Sequence, residues 1–133
     1  MKVIRWILLY PAAVIASMIA SLLAGIIHYL VLSTWIGIDD SGFLGLLVAY
    51  NRNFVVGGIG GFVHVFTAAW VAPNYSVYVA KVTVVVTTIL MICAMFLIQN
   101  LTTTLVGNIS FFGGLCAAAY MIDKGGYALN DNL

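Results

Sequence analysis

Long apolar runs separated by short polar breaks organise this chain. The runs cover about residues 3–33, 54–72, 76–99 and 105–122. A helix that crosses a bilayer needs about 20 predominantly apolar residues. The pattern therefore predicts an all-α membrane protein, one domain over 1–133, with four transmembrane helices. At ~1.5 Å per residue the first run is longer than a ~30 Å hydrocarbon core, so it should tilt or project. Pro11 lies near its start, where proline either occupies the first turn or kinks the helix. The second run stops at Ala72-Pro73. The fourth is the shortest.

Residues 42–50, between the first two runs, are apolar but too short to span. They read as a short interfacial or re-entrant helix, capped by Asp39-Asp40-Ser41 and ended by Asn51-Arg52-Asn53. The other connections are short, which makes successive helices antiparallel neighbours. A polar, glycine-rich tail occupies 125–133.

Within the first run, small residues recur in pairs every four positions: Ala12-Ala13, Ala16-Ser17, Ala20-Ser21 and Ala24-Gly25. That period is close to the helical turn of ~3.6 residues, so the pairs form a ladder along one side of a helix. In lipid, small side chains let a second backbone approach and gain van der Waals contact. Gly57-Gly58-Ile59-Gly60-Gly61 opens the second run and contains Gly57-x-x-x-Gly61. Gly113-Gly114 with Ala117-Ala118 repeats the theme in the fourth. A phosphate-cradling glycine loop needs a strand before it and a helix after it, and neither context exists here. Close helix packing is the better reading, with the ladder set against one of these glycine surfaces.

Composition confirms the solvent. The chain is 64% hydrophobic and 7% charged, whereas soluble domains carry about 25% charged residues. Too few charges remain to cover a surface in water, so the bilayer is the expected partner. The net charge of +1 argues against nucleic acid. Lys2 and Arg5 before an apolar run imitate a secretory signal, but the run far exceeds a signal core of ~7–15 residues and reads as a retained span. Lys2, Arg5, Lys81 and Lys124 fall at one end of a four-span topology and Arg52 at the other. The positive-inside rule then puts both termini in the cytoplasm. Trp6, Tyr10, Trp35, Trp70, Tyr75 and Tyr78 lie near the run ends, as an aromatic belt would.

Candidate chemistry is sparse. His28 and His64 are the histidines, both within spans, where an ionisable residue is a functional hypothesis by default. One reading is a haem b held between two helices by this pair. Counted from the run ends, their depths differ by about 7 Å. The plainer reading is two neutral histidines bonded to backbone or hydroxyl groups. Thr83, Thr87 and Thr88 in the third run, with Asn108 and Ser110 in the fourth, could line a hydrophilic path. Such groups more often bond to their own helix or join helices. No run carries an acidic residue, which argues against an ion-coupled pump. Asp39, Asp40 and Arg52 flank the outer loop without a nucleophile and base, so an enzyme is not expected. Cys93 and Cys116 lie in apolar runs, where cysteine behaves as a small hydrophobe, and no zinc-type spacing is present.

The stretch Gly60-Gly61-Phe62-Val63-His64-Val65-Phe66-Thr67-Ala68-Ala69-Trp70-Val71-Ala72-Pro73, with Lys81 beyond it, resembles small uncharacterised bacterial four-helix inner-membrane proteins. Arg5-Trp6 and Pro11 fit the same resemblance, which implies a bacterial inner membrane and no particular activity. The expected function is a non-catalytic integral membrane subunit that packs by small-residue faces against itself or a larger membrane complex. The alternatives are a small oligomeric channel or carrier and a haem b anchor.

Overall fold

The computed structural model describes residues 2–32, 42–72, 75–97 and 101–124. Its helices are α1 (Lys2–Val31), α2 (Gly42–Val71), α3 (Ser76–Leu97) and α4 (Leu101–Lys124). Each is long and apolar enough to cross a membrane. The protein is therefore an all-helical, multi-pass membrane type of chain.

Contacts give the directions. Ser21 of α1 reaches Val56 of α2, while Tyr10, earlier in α1, meets His64, later in α2. These helices are antiparallel. Lys81 near the start of α3 pairs with Asp123 near the end of α4, so that pair is antiparallel too. In α2 and α4 the contacts advance together, Gly57 against Gly107 and Gly61 against Phe111, so the two run parallel. α2 is the hub: it adjoins all three other helices, whereas the α1 backbone approaches α2 alone.

The interior is built of small residues. Val65, Ala69, Ala80, Leu115, Ala118 and Ile122 form one buried cluster between α2, α3 and α4. Leu9, Ala13, Ala68, Ala72 and Val79 form the other. The large apolar side chains point outward instead, among them Ile7, Ile15, Met18, Leu22 and Ile27 on α1. In water such a surface would aggregate; facing lipid it costs nothing, and helix association then rests on close packing.

One sequence expectation changes, and one open alternative narrows. Residues 42–50 are not a separate re-entrant helix; they are the first turns of α2, which continues through Asn51, Arg52 and Asn53. Polar side chains leave a helix's hydrogen-bond ladder intact, so the triplet does not end α2. Gly42, with φ 77°, holds a left-handed conformation that suits glycine at this boundary. The Asp39-Asp40-Ser41 cap lies outside the described residues, as does the tail 125–133. Pro11 lies inside α1 rather than in its first turn, and its missing N–H takes the helical donor from the Ile7 carbonyl. At the α2–α3 turn, Tyr75 takes φ 61° and its carbonyl accepts from the Val79 N–H at 2.9 Å. Cys93 and Cys116 are free and exposed.

Candidate functional site

Asn53, Gly57, Gly60, Gly61, His64 and Ala68 recur three or four residues apart, so they share one face of α2. The glycines bring neighbours to main-chain distance. A Cβ on Gly57 would collide with the Gly107 carbonyl oxygen, and one on Gly61 with that of Phe111. From the other side, a Cβ on Gly114 would collide with the Gly58 carbonyl and lie 2.8 Å from the Phe62 nitrogen. The Ser110 hydroxyl donates to the Phe54 carbonyl across the same seam. Gly60 faces α1: its missing side chain leaves room for the Ser21 hydroxyl, with Phe111 ring carbons at 3.5 and 3.6 Å.

Below this glycine stretch His64 is 3% exposed. Its Nε2 lies 3.1 Å from the Thr87 hydroxyl of α3. The Tyr10 ring of α1 meets it edge-on, centroids 5.5 Å apart at 84°. Phe111 of α4 leans on it at 6.2 Å and 52°. One side chain from each of the other helices thus surrounds a single imidazole. Its Nδ1 is buried without a hydrogen-bond partner, although the Ala13 main chain lies near the ring. If Thr87 donates to Nε2, the ring proton resides on Nδ1; the opposite tautomer reverses the bond. The arrangement can hold the helices in register and can bind one further hydrogen-bonding group. No cluster of three metal-ligating side chains occurs among the described residues.

His28 lies elsewhere. Gly25 meets Val56, and a groove joins Gly25 and Tyr29 to Arg52 and Asn53. His28 is therefore level with about Asn53, roughly 16 Å along α2 from His64 at ~1.5 Å per residue. The structure does not bring the two histidines together, and a haem b ligated by this pair has no support in its geometry. The expected offset of about 7 Å counted from run ends; the actual register follows Ser21 against Gly60 and Gly25 against Val56. His28 is half-buried, with an unpartnered Nε2.

The small-residue ladder meets α2. Ala13 and Ser17 are buried; Ala12, Ala16, Ala20, Ser21, Ala24 and Gly25 are half-buried. Ser17 donates back to the Val14 carbonyl at 2.8 Å, and Ser21 to that of Val56 at 3.4 Å. The two adjacent glycines of α4 part company: Gly114 is locked against α2, whereas Gly113 has nothing within 4 Å of its absent side chain.

Of the hydroxyl and amide candidates, Thr83 and Thr87 are buried and Thr88 bonds its own helix at Val84, 2.7 Å. Asn108 lines a pocket with Asn53, Met91, Gly107 and Phe111. The sequence singles out Asn108 but neither Gly107 nor Phe111, and marks Asn53 only as a helix end. Comparison with known proteins found no family, no curated protein and no solved structure that matches the chain.

Proposed function

We propose that this chain is a non-catalytic integral membrane subunit, seated in a bacterial inner membrane with both termini cytoplasmic. It packs by its remaining small-residue surface against a second copy or a larger membrane complex. One observation carries this reading. Among the described residues the α1 backbone approaches α2 alone, and the large apolar side chains of this 30-residue helix point outward. Gly113 and Ala117, both exposed one turn apart on α4, add a small-x-x-x-small pair of the kind that joins membrane helices. The basic residues Arg5, Lys81 and Lys124 gather at the end opposite Arg52, which favours the stated orientation.

Native mass spectrometry from lipid nanodiscs, with co-purification from membranes, tests the reading. The first side-chain carbon of Gly113→Leu meets open space, so the bundle should stay folded. This variant should abolish association, as should Ala16→Leu. A chain that stays monomeric and partner-free, or associates equally well in both variants, overturns it. A second reading, a small oligomeric carrier, draws on the pocket that Asn53 and Asn108 line. Solute flux in liposomes containing this chain alone would favour it.

A further inference from the structure

The pocket at the Arg52 end of the bundle lies outside the subunit reading and has its own chemistry. It is lined by Asn53 and Gly57 from α2, Met91 from α3, and Gly107, Asn108 and Phe111 from α4. Its volume of about 500 Å³ lies within the range of small-molecule sites. The back wall is main chain, because Gly57 and Gly107 touch without side chains. No lining residue carries a charge. The polar groups are two carboxamides, each with two N–H donors and a carbonyl acceptor; Asn53 also has an interaction elsewhere in the protein. Val56, Met91 and Phe111 supply the apolar remainder.

Depth matters as much as composition. The apolar span of α4 begins at Leu105, so Asn108 sits about one turn inside it, ~5 Å from that boundary. Met91 and Phe111 extend the pocket toward the bundle centre, where the Phe111 ring also neighbours His64. A ligand would therefore keep its polar head near the interface and its apolar body deeper. A charged head would find no counter-charge among the lining groups and would lose hydration without return.

We propose that this pocket binds an uncharged, membrane-dissolved amphiphile whose head group both donates and accepts hydrogen bonds, with Asn108 as its main contact and Phe111 as the floor. An alkyl series with a fixed chain and varied head tests it: octanamide, octane and octanoate, added to the full chain in phosphatidylcholine nanodiscs. The readout is the side-chain amide ¹⁵N signal of Asn108 and Asn53. Octanamide should shift both saturably, and Asn108→Leu should weaken binding, read at Asn53, about tenfold. Gly107→Leu should block the pocket; the nearest atoms to a Cβ there are Asn53 backbone and Cβ at 3.8 and 3.9 Å, so its first carbon fits without collision. Unchanged signals around Thr87 confirm that each variant is folded. Equal shifts from octane, equal affinity for octanoate, or intact binding in Gly107→Leu overturns the proposal. None of these readouts depends on whether the chain associates, so the site and the subunit reading fail separately.

Discussion

The two long seams of this bundle solve one problem by different means. Between α2 and α4, glycines let main chain lie on main chain: Gly57, Gly61 and Gly114 have no space for even a methyl group. Between α1 and α2, small side chains meet other side chains, as where the absent Cβ of Gly25 sits 3.7 Å from Val56. The first seam has no slack and joins helices distant in sequence. The second joins neighbours through side chains: contact is ordinary at Gly25, and at Gly60 a Cβ would meet only the Ser21 hydroxyl of α1, not its main chain. In a bilayer, where burying leucine in protein rather than lipid gains little, the closeness of approach sets the strength of a seam. The α2–α4 seam is thus the rigid part of the molecule and α1 the attached part.

Gly61→Leu should break this contrast most severely. Its side chain would collide with the Phe111 carbonyl and crowd the Leu115 nitrogen, and the α2–α4 pair should fail to form. Even Gly61→Ala should cost about 1–3 kcal/mol by overpacking, measured by reversible unfolding in mixed micelles. A smaller, local loss is expected from Ala13→Leu, which overfills a fully buried site and should release α1 while α2–α4 cross-links persist. Simultaneous loss of both seams would show that they are one unit. Thr87→Val removes the hydroxyl from His64 Nε2 and should cost about 0.6 kcal/mol and no more than about 1.7, the average and maximum for membrane hydrogen bonds. Gly25→Ala should be nearly silent, since its new methyl group meets only ordinary contact. A loss as large as that of Gly61→Ala would erase the distinction between the seams. Lys81→Met should also be small, about 0–1 kcal/mol, because both partners of its 3.0 Å pair with Asp123 are substantially exposed.

Much of the architecture is legible in the hydropathy pattern, because lipid permits only long apolar helices to cross it. The start of α2 is not, since Asn51-Arg52-Asn53 alters solvent preference without breaking a helix. The ladder announces a packing face within a single segment, and it does meet α2. By contrast, the roles of Gly113 and Gly114 are indistinguishable in sequence: adjacent residues lie about 100° apart on a helix, and only the position of α2 decides which one is locked. The pocket was hidden for the same reason. Asn53 and Asn108 come from separate helices, and their meeting depends on the parallel register set by Gly57 and Gly107. The depth of His28 relative to His64 depended on that kind of register too, here between α1 and α2.

The parallel pairing of α2 with α4 also has a consequence in time. Gly57 must wait for Gly107, roughly fifty residues later in synthesis. At about 5–20 residues per second, that delay is about 3–10 s. α1 can close on α2 as soon as both have emerged, but the glycine face of α2 stays uncovered until the last helix arrives. During that interval the nascent chain displays its most adhesive surface, and whatever helix stands beside it competes with α4 for the place.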